Sequence, residues 1–105
     1  MSDPRLVFQE ERDGRPELVV NFGVFSGREA TEAEVYRLAQ GLLEEIGSVE
    51  IISEHRYEFD SEVEATVHQV RVHLPRSAAG REGELLPLVE EWAQVCIGER
   101  RVIIP

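Results

Sequence analysis

The chain has 105 residues, 21 acidic and 11 basic, for a formal net charge of −10. One domain is expected, large enough to bury roughly 65% of its unfolded surface in a single core. The charge works against binding nucleic acid or anionic membrane, both of which need a positive patch. No stretch approaches the ~18 apolar residues of a membrane span.

All eleven basic residues are arginine. Without lysine, Schiff-base formation and a phosphate-binding loop lysine are excluded. Cys96 is the single cysteine, so neither an internal disulfide nor a cysteine-based metal site is expected. The opening MSDPRLVFQ lacks the basic region and long apolar run of a signal peptide, which suggests a reducing cytoplasm.

In chain order, Arg5 to Glu10 and Glu17 to Phe25 read as two strands around an Asp13-Gly14 turn. After a loop from Ser26 to Ala30, Thr31 and Glu34 make a capping box for a first helix. Its stripe of Val35, Leu38, Ala39, Leu42, Leu43 and Ile46 ends at Gly47. Val49 to Phe59 and Glu62 to Leu74 read as a second hairpin, turning near Asp60-Ser61. A second helix is expected from Glu84 to Ile97, with Pro87 in its first turn and Gly98 as its end. Its apolar side is Leu85, Leu88, Val89, Trp92, Val95 and Cys96. Arg101 to Pro105, RVIIP, reads as a short final strand.

This ββαββα(β) order implies an α+β domain, an antiparallel-rich sheet with two helices packed on one face. From the second strand onward the order is that of the ferredoxin-like plan, with an extra N-terminal strand. Gly-Arg-Glu precedes both helices, at 27–29 and 80–82, a weak trace of duplication.

All three histidines lie in the second hairpin. Strand parity places Val49, Ile51, Ser53, His55, Tyr57 and Phe59 on the core side of the third strand. In the fourth strand Val63, Ala65 and Val67 are odd, whereas Val70, Val72 and Leu74 are even. A one-residue bulge near His68-Gln69 would reconcile them. It sends Glu64, Thr66, Arg71 and His73 outward, with His68 beside them and on the face opposite to His55. His68 and His73 stand roughly 16 Å apart along an extended strand. No metal site is therefore expected.

The candidate catalytic pair is His55 with Tyr57, since a histidine's ordinary titration range suits proton transfer. Arg28 or Arg56 would serve as the charged handle for a small-molecule ligand. The loop at 21–31 could offer Gly23, Gly27 and Arg28 to an anion, but Glu29, Glu32 and Glu34 crowd the same helix start. The outer sheet face lacks the stacking aromatics of an RNA-binding sheet.

The expectation drawn from these exclusions is a non-enzymatic interaction module without a cofactor, binding a protein partner or a second copy to form a homodimer. Strand addition at RVIIP is the expected contact. The rival is a small enzyme or ligand binder with a pocket between sheet and helices.

Overall fold

Asp13 and Gly14 both adopt positive φ, 53° and 75°, as a two-residue hairpin turn of matching twist requires. They join β1 (Val7–Arg12) to β2 (Arg15–Val20). The computed structural model describes residues 5–59 and 64–103, with side chains undescribed at 56, 58, 64–66 and 99–103. The expected turn near Asp60-Ser61 lies outside the described residues.

β2 stops at Val20, earlier than the sequence pattern implies, and Phe22–Ser26 forms a short helix, α1. Phe22 and Ser26 are both buried, and their spacing of four suits a helix, not a strand. Val24 and Phe25, expected to continue the strand, are exposed. Asn21 secures the bend. Its backbone N–H donates to the Leu6 carbonyl at 2.8 Å and its side chain to that of Arg5 at 2.7 Å.

The helix α2 (Glu32–Ile46) starts on the expected capping box. Thr31 Oγ1 accepts from the Glu34 N–H, and Glu34 returns a bond to the Thr31 N–H. Gly47 closes the helix at φ 77°. A hairpin of β3 (Glu50–Phe59) and β4 (Glu64–His73) follows, then a 3-10 turn at Arg76–Ala78.

The last element, α3 (Glu82–Ile103), corrects two expectations. It begins before Glu84, so Pro87 sits in its second turn and leaves the Gly83 carbonyl without a helical donor. Gly83 is exposed, so water can serve that carbonyl. It also passes through Gly98, and Arg101–Ile103 is helical, not part of a strand. The strand slots beside β2 are already filled, by β1 on one side and β4 on the other. Residues 104–105 of the expected strand lie outside the described residues.

The protein is thus α+β, and its described residues form a four-stranded antiparallel sheet in the order β1-β2-β4-β3 and three α-helices. Leu18, Val20, Val70 and Val72 of the sheet form one core with Phe22 of α1, Leu38 and Leu42 of α2, and Leu85, Val89, Trp92, Ala93 and Cys96 of α3. Each fully buried leucine or valine contributes about 1.5–3 kcal/mol. The Trp92 indole N–H donates to the Glu34 carbonyl at 2.8 Å, tying α3 to the first turn of α2. No helix among the described residues is long and apolar enough to cross a membrane.

The expected bulge is absent. β3 and β4 pair without interruption from Glu50↔His73 to Phe59↔Glu64, and His55 faces His68 directly. The change of hydrophobic phase has another cause. β2 pairs with β4 only from Val70 to His73, so the core cover ends there. Beyond it the hairpin projects as a two-stranded arm, and Tyr57 and Phe59 on it are 64% and 68% exposed.

One close approach anchors that arm. A Cβ at Gly23 would lie 2.8 Å from the His68 Cβ and 3.1 Å from its backbone N, so only glycine lets α1 press on β4 here. Gly23→Ala should destabilise the fold by about 1–3 kcal/mol, as overpacking does. A fall in the urea midpoint at unchanged slope would confirm it.

Candidate functional site

The continuous β3–β4 register places His55 and His68 as a direct cross-strand pair on the helix-covered face, contrary to the expectation of opposite faces. Their ring centroids are 4.1 Å apart, and Tyr57 stacks on His55 at 4.7 Å. Glu29, in the loop between α1 and α2, reaches over both. Its Oε1 lies 3.2 Å from His55 Nδ1 and 3.4 Å from His68 Nδ1. His68 Nδ1 is shielded from solvent and makes no hydrogen bond among the described residues. One donor atom from each of the three residues can be chosen so that all lie within 4.8 Å of one another. The expected pair, His55 with Tyr57, is therefore joined by His68, which strand parity had set aside, and by Glu29 of the 21–31 loop.

Arg28 does a different job. Its guanidinium makes a two-pronged contact with Glu34, at 2.7 and 2.8 Å, and lies 5.2 Å from the Phe22 ring centre. The bond from Arg28 outweighs the opposing effect of burial and, with the Thr31 N–H, lowers the Glu34 carboxyl to about 2. Burial and then the nearby Glu34 carboxylate push the Cys96 thiol up to about 12, so Cys96 is not an activated nucleophile. Arg56 stands opposite Val67 in the strand register, and its side chain lies outside the described residues.

The outer sheet face carries a polar network. Arg71 is 5% exposed and Glu17 2%. The Arg71 Nη1 donates to Glu17 at 2.6 Å and to Glu10 at 2.8 Å, its Nε to Glu54 at 3.1 Å, and its Nη2 to Gln69 at 3.3 Å. Burial opposes the charge on Arg71, but the bond to Glu10 and the fields of Glu54 and Glu17 more than offset it, and its pKa is raised. His73 Nε2 lies 2.9 Å from the second Glu17 oxygen, and its Nδ1 lies 3.2 Å from Glu50. Arg71 and His73 face outward, as parity implied. Their carboxylate partners on β1 and β2 were not legible, because strand order decides which glutamates meet them.

Compared with protein-family models, with curated proteins and with solved structures, the chain matches none.

Two outcomes follow from these charges. A carboxyl lowered on folding stabilises the protein above its unfolded value near 4.5, and that contribution disappears as pH falls toward about 2. Glu34 should supply stability on the order of 3 kcal/mol at neutral pH. Acid titrations of stability should show Glu34→Gln less stable at pH 7 and flatter across that window. On the outer face, Arg71→Met should cost about 3–5 kcal/mol, since it takes from buried Glu17 its guanidinium partner. Adding Glu17→Gln should restore much of the loss in denaturant melts.

Proposed function

We propose that this protein is a non-enzymatic interaction module that associates with a second copy of itself through β3. The observation that carries the reading is the edge. β3 is the outermost strand, ten residues long, and its far side has no partner strand among the described residues. A long, exposed edge is a template for pairing, and an isolated two-stranded ribbon is only marginally stable in water. The opposite edge is blunted, being only six residues long and exposed at Gln9, Glu10, Glu11 and Arg12.

A second copy fits this edge. Antiparallel pairing of two β3 strands about a twofold axis centred on His55 sets Glu54 of one copy opposite Arg56 of the other. It would extend the sheet to eight strands and shield the exposed Ile52, Tyr57 and Phe59. The contact thus moves from RVIIP, where Arg101–Ile103 is helical, to β3. The strand order supports reading the fold as a variant of the ferredoxin-like plan, with β1 beside β2 where the final strand of that plan would lie. A cytoplasmic setting belongs to the same proposal and suits the buried free thiol of Cys96.

The rival, catalysis by His55 and Tyr57 with Arg28 or Arg56 as the handle, has less support. Tyr57 is mostly exposed and the Arg28 guanidinium is engaged by Glu34. A cleft of about 370 Å³ lies beside Arg12, Arg15, His73 and Arg76, at the His73 end of β4 and away from mid-strand His68.

Light scattering should give twice the chain mass of 11.9 kDa at micromolar concentration. Because each copy carries a charge of −10, added salt should strengthen the dimer. Phe59→Lys should give a monomer with stability changed by no more than about 0.5 kcal/mol. A wild-type chain that stays monomeric at high micromolar concentration and high salt would rule the reading out.

A further inference from the structure

We propose that Glu29, His55 and His68 form a binding site for a divalent transition-metal ion, with zinc as its representative. The donor set is two imidazoles and one carboxylate, which suits zinc and its first-row neighbours better than magnesium or calcium. An ion bonded to nitrogen and oxygen at about 2.0–2.1 Å in a tetrahedron holds its ligand atoms roughly 3.3–3.4 Å apart. The two edges that run from Glu29 Oε1 to the histidine Nδ1 atoms measure 3.2 and 3.4 Å. Two edges thus match those of a tetrahedral site, and the third, between the imidazole donors, lies within 4.8 Å.

A second observation points the same way. His68 Nδ1 is turned toward Glu29, shielded from water, and makes no hydrogen bond among the described residues, with the carboxylate oxygen 3.4 Å away. An ion between them would use the lone pairs of both.

The ligands are also held in place before any ion arrives. The backbone of α1 at Gly23 packs against the Cβ and ring of His68. His55 is held between the rings of His68 and Tyr57. Glu29 follows the Gly27-Arg28 bend, where the Arg28 side chain donates to the Glu29 carbonyl at 2.8 Å while gripping Glu34. Glu29 is itself 55% exposed on its side chain, which leaves the fourth position of the tetrahedron to water or an incoming donor. All three ligands come from one chain, so the site does not depend on self-association.

Isothermal titration of the untagged full chain with zinc chloride at neutral pH tests this. One ion per chain should bind, and His55→Ala, His68→Gln and Glu29→Gln should each weaken it at least tenfold. His73→Ala, on the opposite face, should bind as the wild type does. Urea melts of each variant establish that it folds. Should His68→Gln fail to fold, the exposed His55→Ala and Glu29→Gln decide. Repeating the titration on monomeric Phe59→Lys should give the same stoichiometry, which separates this site from the dimer. A wild type that takes up no zinc overturns the proposal, as do wild-type affinities in the ligand variants or an equal loss in His73→Ala.

Discussion

The uninterrupted ladder between β3 and β4 is the constraint on which the other features of the molecule rest. Directly opposed residues in an antiparallel pair share a face, so ten unbroken pairs bind the two strands to one assignment of sides. That assignment sends Ile51, Val70 and Val72 into the core and Glu54, Gln69 and Arg71 to the outer face. It also brings His55 and His68 together. β2 shares only four pairs with β4, so the ladder outruns the sheet that supports it. The contact of α1 with β4 at Gly23 helps hold the root of that arm.

The two faces of the sheet are stabilised by different physics. The inner face buries aliphatic and aromatic groups against three helices. The outer face has no such layer at Arg71, and there the guanidinium gathers one carboxylate from each of the other strands, Glu10, Glu17 and Glu54. A buried charge is tolerated only when its donors are satisfied, and Arg71 meets that condition by spanning the whole sheet. An analogous clamp operates on the helix side, where Arg28 holds Glu34 in the first turn of α2 and Trp92 holds its carbonyl.

Local signals were legible wherever the chemistry is local. The Asp13-Gly14 turn, the Thr31–Glu34 capping box and the Gly47 cap each depend on residues within a few positions, and all three form. The errors arose where a local pattern had more than one tertiary solution. Phe22 and Phe25 fit a strand's composition, yet Phe22 alone enters the core, and the chain coils to put it there. Gly98 suits a helix end, but with no strand slot left beside β2 the helix continues. The phase change in β4 suggested a bulge because sequence does not reveal where the helical cover stops. The symmetric placement of His55 and His68 about the middle of the hairpin was the one available sign that they would meet.

Taken alone, the sequence determined the α+β class, the capped helix α2, the two hairpins and the exclusion of lysine chemistry and of an internal disulfide. These follow from composition and from contacts a few residues apart. Tertiary structure decided the strand order, the four-strand reach of Arg71, the helical fate of Arg101–Ile103 and the meeting of Glu29 with two histidines. Those depend on residues separated by up to 61 positions, as Glu10 and Arg71 are, and such pairs are set by packing of whole elements instead of by local spacing.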